Sequence, residues 1–367
     1  MRSPILVGIV GYGYWGPNLA RNFNSLESCR LGAICDQNLE RLGSAKKLYP
    51  TVEIYTDFGQ MLQDAELDAV IIATPLKTHF DLAKAAILAR KHLLIEKPMA
   101  GTVAECLELI ESAQQGGVSL MIGHTYIYSE PVRRITEFIR SGEIGDLRYI
   151  NCQRLNLGIF KSDINVAWDL APHDVSIILH VLGESPKTVN CQGNAHINPE
   201  VEDVTNLSLT FNGNRFATVQ SSWLEPRKVR QMTFVGTRKM IIFDDLQPLE
   251  KIRIYDVRVE IPPHCDSFAE FQYSYHYGAC YIPHLEQIEP LHKMCSHFLE
   301  CVRNGNAPTS DGEQGLEIVR ILEASADSLR ANGAPVSLDY GNTLSSPVLV
   351  RPPESVSNRI NLHDRTN

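Results

Sequence analysis

The sequence lacks three features that would restrict the class of protein. It has no apolar run of about 20 residues, which a membrane-spanning helix needs. Its nine cysteines include no Cys-x-x-Cys pair, and an odd number without metal-type spacing favours reduced, buried thiols over disulfides or a zinc site. Lysine and arginine are scattered, and the formal net charge of −9 disfavours nucleic-acid binding. These absences predict a soluble, cytoplasmic protein with no metal, membrane or nucleic-acid partner.

The spacing of apolar residues changes near residue 124 and divides the sequence into two parts. Before that point, continuous apolar strands alternate with amphipathic helices, which predicts an α/β fold with a doubly wound parallel sheet over 1–124. After about residue 145, short strands with period-two alternation follow one another through polar turns, so residues 125–345 are predicted to form an α+β domain with a mostly antiparallel sheet. The polar, proline-containing residues 346–367 are predicted to be a loose tail.

The stretch "VGIVGYGYWGPNLARNF" contains Gly11-x-Gly13-x-x-Gly16 between the first strand and the first helix. In a dinucleotide site the first glycine permits a tight turn, the second lets a pyrophosphate approach, and the third packs closely on the strand. Asp36 ends the second strand, where a carboxylate can bind the ribose diol. Without a ligand, the same spacing would be only a tight strand-to-helix turn. The combined features predict a dinucleotide site.

The residues after Asp36 favour NAD over NADP. Gln37 and Asn38 follow it, and the sequence shows no arginine placed to hold a 2′-phosphate. The Asp36 carboxylate would also repel such a phosphate. NAD is therefore the predicted cofactor, and NADP is the alternative.

Lys97 is a first candidate for the chemistry. It lies in "LLIEKPMA", at the carboxyl end of a predicted strand, where open α/β sheets bind their ligands. An ordinary solvent-facing lysine at a strand end is an equally good interpretation of this tripeptide.

A second candidate group lies in "AWDLAPHDVSIILHVLG", where Pro172 is predicted to occupy the first turn of a helix. Asp169 and His173 are four residues apart, so both can face one cavity near the helix start. A carboxylate beside an imidazole fixes its tautomer, and a helix N-terminus disfavours the imidazolium, which predicts a neutral base. The alternatives are a capping aspartate with an unrelated surface histidine, or a metal site for which no third ligand is suitably spaced.

The combination of Glu96-Lys97-Pro98 after a strand, the dinucleotide motif and Asp169-x-x-x-His173 resembles the glucose–fructose oxidoreductase / inositol dehydrogenase (Gfo/Idh/MocA) family. The resemblance extends to about residue 340. It implies an N-terminal NAD-binding Rossmann domain and a second domain for substrate binding and oligomerisation, with a large open antiparallel sheet. It also implies a homodimer or homotetramer.

The resemblance assigns roles to individual residues. It implies that Lys97, Asp169 and His173 are catalytic. Thr125 and Tyr126 stand where many relatives have Asn-x-Arg. The implied cofactor-binding residues are Gly11, Gly13, Tyr14, Trp15, Gly16, Asp36, Thr74, Pro75, His79, Glu96 and Lys97. The implied substrate-binding residues are His124, Arg154, Asn156, Lys161, Trp168 and Arg227.

Within the family, "GYGYWGPNLARNF", "GHTYIYSEPVRRI" and "WDLAPHD" resemble the branch of nucleotide-sugar 3-dehydrogenases. This implies NAD-dependent oxidation of a secondary ring hydroxyl, with the 3-OH of a UDP-N-acetylhexosamine as the best single substrate. The substrate diphosphate would need cations, for which Arg154, Lys161, Arg227, Lys228 and Arg230 are candidates.

Three other functions remain open from the sequence. A dehydrogenase of inositol or a free sugar needs no diphosphate site, and a ketosugar reductase would run the reaction backwards. A regulatory protein that only binds the dinucleotide would be expected to lose Lys97, Asp169 or His173, and all three are present.

For assembly, the segments "TFVG", "MIIF" and "VQSSW" predict an apolar sheet face that a partner copy covers.

Overall fold

The computed structural model describes residues 3–260 and 273–338, which contain two sheets and their flanking helices. The predicted tail, residues 346–367, lies outside the described residues. No helix in these two ranges is both long enough and apolar enough to cross a bilayer.

The first sheet contains six parallel strands in the order β3-β2-β1-β4-β5-β6, with helices between them. This order makes β1 and β4 neighbours, so the ligand crevice of a doubly wound sheet lies at their carboxyl ends. The strands are β1 (Ile5–Val10), β2 (Cys29–Cys35), β3 (Glu53–Tyr55), β4 (Ala69–Ile72), β5 (His92–Ile95) and β6 (Leu120–Ile122). The helices are α1 (Gly16–Asn24), α2 (Leu39–Leu48), α3 (Phe58–Asp64), α4 (His79–Leu88) and α5 (Val103–Gly116).

The second sheet has nine strands in the described residues, and its order is β14-β13-β12-β11-β7-β10-β9-β8-β15. All of its pairs are antiparallel except β7 with β10. The strands are β7 (Leu147–Leu157), β8 (Thr188–Asn194), β9 (Val204–Thr210), β10 (Phe216–Ser222), β11 (Leu224–Gly236), β12 (Met240–Asp244), β13 (Ile252–Glu260), β14 (Ser274–Tyr281) and β15 (Val336–Ser337). The helices are α6 (Glu130–Arg140), α7 (Val166–Leu182), α8 (Pro290–Asn304) and α9 (Gly312–Arg330). The predicted fold class is confirmed.

Helix α7 covers the inner face of the second sheet and carries two of the three candidate catalytic residues, Asp169 and His173. Its buried side chains, including Val175 and Ile178, share a core with Val219 of β10 and Phe234 of β11. Because this core fixes the helix against the sheet, the polar residues at the start of α7 face the first domain.

Helix α8 packs on the first domain although it lies within the predicted second domain, 125–345. Phe298 of α8 meets Phe23 of α1 edge to face, with ring centroids 6.2 Å apart. Glu289, just before α8, accepts two hydrogen bonds from Arg21. The chain therefore returns to the first domain, and α8 contributes contacts that hold the two domains together.

The outer face of the second sheet is polar over β7 to β10, where one of the three predicted apolar segments, "VQSSW", lies. Alternation along the strands turns Val219, Phe234 and Ile241 into the core. The opposite face over β7 to β10 is lined by amide and hydroxyl side chains, namely Asn151, Gln153, Asn190, Gln192, Asn206, Ser208, Thr218 and Gln220. The predicted apolar patch is therefore absent over β7 to β10, whereas Met240 and Ile242 of β12 are partly exposed, and the dimer or tetramer stays a prediction.

Candidate active site between the two domains

In the glycine turn after β1, a side chain would clash with neighbouring atoms at two of the three glycines and would fit without a clash at the third. Gly11 has a φ of 92°, and a Cβ there would lie 2.5 Å from the carbonyl oxygen of Ala73. A Cβ at Gly16 would lie 2.3 Å from the carbonyl oxygen of Gly11. At Gly13 the nearest atom is Nη1 of Arg41 at 3.6 Å. The turn thus packs tightly where a side chain is excluded and leaves room where a pyrophosphate would approach.

The start of α1 offers backbone donors to such a ligand. The residue before the helix, Trp15, makes no side-chain capping hydrogen bond. The first N–H groups of α1 therefore lack a capping acceptor, which suits an anionic group. Tyr14 and Trp15 stand edge to face at the rim of the turn, and 83% of Tyr14 is exposed.

Asp36 lies at the end of β2, beside the glycine turn. Its Oδ2 accepts a hydrogen bond from the backbone N–H of Tyr12 at 2.6 Å, and its Oδ1 accepts one from Asn38 at 2.8 Å. These bonds hold the carboxylate at the place where a ribose diol would bind, as predicted from the Rossmann pattern.

An arginine that was not predicted from the sequence lies beside this carboxylate. Nη1 of Arg41, in the first turn of α2, lies 3.6 Å from Oδ2 of Asp36. The expectation that no arginine is near a 2′-phosphate was therefore wrong. The signal was present in the sequence, because Arg41 lies one helical turn beyond Asn38, the N-cap of α2.

We expect Asp36→Ala to weaken NAD⁺ binding by about 10–100-fold, because a hydrogen bond to a charged group contributes about 1.5–3 kcal/mol. NADP⁺ binding should improve, since Arg41 then lacks its carboxylate partner and can pair with a 2′-phosphate. Adding Arg41→Ala to Asp36→Ala is the matched control and should remove that gain. Titration calorimetry measures both affinities. An Asp36→Ala protein whose NAD⁺ affinity changes by less than about twofold would contradict the assignment.

His79 braces the loops beside the predicted nicotinamide site. It is 1% exposed, and its Nδ1 and Nε2 lie 2.8 Å from the carbonyl oxygens of Pro98 and Thr74. Burial lowers the pKa of this imidazole. Because both ring nitrogens face backbone carbonyls, His79 holds the loop of Thr74 and Pro75 in place, and its predicted direct contact with the cofactor is not supported.

Lys97 reaches from the first domain to the second. It follows β5, and its Nζ donates a hydrogen bond of 2.7 Å to the backbone carbonyl of Asp169 on α7. Burial lowers the pKa of the lysine. The neighbouring Glu96 points the other way, against Gly123, and burial raises its pKa to about 7. Lys97 is therefore a half-buried donor between the domains and not an ordinary surface lysine.

Helix α7 begins six residues before Pro172, so the predicted helix start was wrong. Asn165 caps the helix, and its Oδ1 accepts a hydrogen bond of 3.1 Å from the backbone N–H of Trp168. Pro172 lies inside the helix. Asp169 is thus in the first turn, but His173 lies beyond the reach of the helix N-terminus.

Asp169 does not contact His173 in the way the spacing predicted. Its Oδ1 accepts a hydrogen bond from Nζ of Lys161 at 2.6 Å, and its Oδ2 accepts one from Nε1 of Trp223 at 3.2 Å. Both carboxylate oxygens are therefore engaged elsewhere. Asp169 holds Lys161 with its side chain and Lys97 with its backbone, so it positions two cations and not the imidazole.

The imidazole of His173 is held by an aromatic ring. Tyr126 meets it edge to face, with ring centroids 5.1 Å apart, and Nδ1 of His173 is buried without a hydrogen-bond partner among the described residues. Burial, followed by the charges of Lys97 and Arg154, holds the pKa of His173 well below its usual range. His173 is therefore neutral, as predicted, but for a different physical reason.

A polar network fixes Tyr126 in turn. Its hydroxyl accepts hydrogen bonds from Nη1 of Arg154 at 3.3 Å and Nη1 of Arg230 at 3.2 Å, and it donates one to Asp245 at 3.1 Å. The guanidinium of Arg154 also lies over the Tyr126 ring, 4.9 Å from its centroid. This tyrosine was not among the predicted site residues.

We expect Tyr126→Phe to lower the free energy of unfolding by about 1–3 kcal/mol, because two guanidinium donors and one carboxylate lose their partner. Urea denaturation measures the loss. Tyr255→Phe is the control, since the half-buried hydroxyl of Tyr255 has no partner in the described part of the chain. A Tyr126→Phe protein as stable as the control would show that the network contributes nothing.

The predicted substrate residues fall into two groups. Arg154 is 5% exposed and forms two hydrogen bonds with Asp174, so it is a structural cation and not a free one for a diphosphate. His124 is 1% exposed, and neither ring nitrogen has a hydrogen-bond partner among the described residues. Burial, aided by Lys97, lowers its pKa to about 3. Only the remaining residues, Asn156, Lys161, Trp168 and Arg227, are at least partly exposed.

These observations fit a dinucleotide. The open surface at Gly13, the free start of α1 and the carboxylate of Asp36 match its pyrophosphate and ribose, while Lys97 and His173 lie at the carboxyl end of the same sheet. The ranges 3–260 and 273–338 contain no cluster of three or more histidine, cysteine or carboxylate side chains that could hold a metal ion.

Comparison with known proteins assigns the family. Residues 5–124 match the model of the NAD-binding Rossmann fold of the GFO/IDH/MocA oxidoreductase family, and residues 132–242 match the C-terminal domain of that family. The predicted family and its NAD cofactor are thereby confirmed.

Individual relatives cover much of the chain. An uncharacterized oxidoreductase, YrbE of Bacillus subtilis, is 24% identical over 352 residues, which are 93% of this chain and 98% of that protein. UDP-N-acetylglucosamine 3-dehydrogenase of Acidithiobacillus ferrooxidans is 30% identical over 233 residues, which are 61% of this chain and 69% of that protein. The crystal structure of aldose-aldose oxidoreductase from Caulobacter crescentus matches with a TM-score of 0.78 at 21% identity, covering 91% of this chain and 100% of that one. This structural likeness shows the fold.

Proposed function

We propose that this chain, which belongs to the GFO/IDH/MocA oxidoreductase family, oxidises a secondary ring hydroxyl of a nucleotide sugar to a ketone with NAD⁺. The observation that carries the proposal is the bond from Nζ of Lys97 to the backbone of Asp169, one helical turn before His173. It brings a half-buried cation and a neutral imidazole together at the carboxyl end of the dinucleotide-binding sheet.

In the proposed reaction, His173 takes the proton of the substrate hydroxyl as the carbon–hydrogen bond breaks. NAD⁺, held at the glycine turn and by Asp36, would supply the hydride acceptor for that carbon, so the products would be a ketone, NADH and a proton on His173. Lys97 donates a hydrogen bond to the same oxygen and stabilises its developing negative charge. The pKa of His173, lowered by burial, leaves the imidazole unprotonated and ready to act as the base.

Asp169 and Tyr126 would act through these two residues. The backbone carbonyl of Asp169 accepts the Lys97 hydrogen bond, and its carboxylate binds Lys161 and Trp223, which fixes the start of α7. The Tyr126 ring restricts the imidazole of His173. We therefore assign positioning roles to Asp169 and Tyr126 and catalytic roles to Lys97 and His173.

The 3-OH of a UDP-N-acetylhexosamine is the proposed substrate group. Support comes from the 30% identity with a UDP-N-acetylglucosamine 3-dehydrogenase, of which the chain covers 69%. Free sugars and inositols are the alternative substrates within the same chemistry.

The test is to incubate the protein with NAD⁺ and a panel of nucleotide sugars, free hexoses and inositols, and to record the absorbance of NADH. We expect NADH with a UDP-N-acetylhexosamine. Formation of NADH only with a free sugar or an inositol would overturn the proposed substrate but leave the proposed oxidation of a hydroxyl by NAD⁺ in place. No NADH, free or enzyme-bound, with any member would overturn the proposed function.

A further inference from the structure

A bulge interrupts β11 next to the candidate active site. Leu224 pairs with Leu157 of β7, and the next paired residue, Val229, lies opposite Leu155. Four residues of β11, 225–228, therefore face a single residue of β7, Asn156. We call residues 225–228 the β11 bulge.

Both ends of the β11 bulge are tied to catalytic or positioning residues. On one side, Nε1 of Trp223 donates a hydrogen bond to Asp169. On the other side, Arg230 donates one to the hydroxyl of Tyr126, whose ring contacts His173. Four residues of extended chain span at most about 14 Å, so the bulge cannot extend far from either attachment.

The β11 bulge carries two cations that no described residue neutralises. Arg227 and Lys228 are exposed, and neither side chain has a hydrogen-bond or ion-pair partner within residues 3–260 and 273–338. Glu225 is the only carboxylate in the bulge. By contrast, Arg154 and Lys161 are paired with aspartates. Two cations without counter-ions beside the site suit an anionic group of a ligand.

An anionic group bound at the bulge would belong to the substrate, because the cofactor pyrophosphate has its own place at the glycine turn. We propose that Arg227 and Lys228 of the β11 bulge bind the diphosphate of a nucleotide-sugar substrate, an inference that rests on the proposed function. In such a substrate the sugar ring is attached directly to the diphosphate. Binding the diphosphate at the bulge therefore leaves the ring free to enter the site between Lys97 and His173.

The experiment compares the binding of UDP and uridine to the full chain saturated with NAD⁺, so that the cofactor site is filled. We expect UDP to bind at least about 10-fold more tightly than uridine, and the Arg227→Ala/Lys228→Ala variant to lose most of that difference. Arg148→Ala/Lys187→Ala is the control, because both cations are exposed and have no partner in the described part of the chain. It should bind UDP as the unmodified protein does.

Two outcomes would overturn the inference. One is equal binding of UDP and uridine by the unmodified protein, and the other is unchanged UDP binding by the bulge variant. Either result, together with NADH formation from a free sugar, would leave the oxidoreductase function intact. A third outcome separates the two proposals. If the bulge variant loses UDP binding but the unmodified protein transfers no hydride from any sugar, the diphosphate subsite is supported and the proposed function is overturned.

Discussion

Replacing His173 with alanine is expected to lower kcat by about 10²–10⁴-fold, which is the range that a general base contributes. The affinity for NAD⁺ should stay unchanged, because His173 lies on α7, away from the glycine turn and Asp36. His180→Ala is the control, since His180 is a half-buried histidine two turns further along the same helix. A His173→Ala protein that binds NAD⁺ and turns over within about threefold of the unmodified enzyme would remove the assigned role.

The pH profile gives an independent view of the same residue. Only the unprotonated imidazole can accept a proton, so the rate should rise with pH through the pKa of His173. Burial and nearby cations lower this pKa, and the acidic limb should therefore lie below about 6.5, the unperturbed value for histidine. The limb should be missing in His173→Ala. A limb above the ordinary histidine value would show that another group is the base.

Replacing Lys97 with methionine is expected to lower kcat by about 10²–10³-fold, as the loss of one donor to a developing oxyanion does in other enzymes. Methionine keeps much of the aliphatic volume and removes the charge. Lys97→Arg should recover only part of the rate, because a planar guanidinium cannot replace a compact ammonium at the same place.

The matched control for Lys97→Met is Lys91→Met. Nζ of Lys91 also donates a hydrogen bond of 2.7 Å to a backbone carbonyl, that of Leu67, but far from α7. If both variants lost activity to the same extent, the effect would come from a damaged first domain. A large loss confined to the Lys97 variant, with NAD⁺ affinity retained, is the result that supports catalysis.

Much of the fold could be predicted because its signals are local. The alternation of apolar strands with helices and the position of Gly11, Gly13 and Gly16 indicated the parallel sheet, and side chains added at Gly11 and Gly16 would meet backbone atoms as that pattern requires. The packing of α8 on the first domain could not be predicted in this way. It depends on contacts such as Phe298 with Phe23, which are far apart in sequence.

The candidate site shows the same limit. Spacing correctly put Asp169 and His173 on one helix, but it could not show that Lys161 and Trp223 occupy the carboxylate. Tyr126 was missed because its partners lie far along the chain, whereas Arg41 lies only five residues after Asp36 and could have been found from the sequence. Local spacing predicts which residues can meet, and the three-dimensional packing decides which of them do.

The central claim is that a ring carbon gives its hydride directly to NAD⁺ at the site formed by Lys97 and His173. The most direct test uses the substrate found in the panel, deuterated at the carbon that bears the reacting hydroxyl. Mass spectrometry of the cofactor after a single turnover should show NADH that carries the deuterium, formed much more slowly by His173→Ala but with the same label. NADH without deuterium, or product formed with no reduced cofactor at any time, would contradict the account.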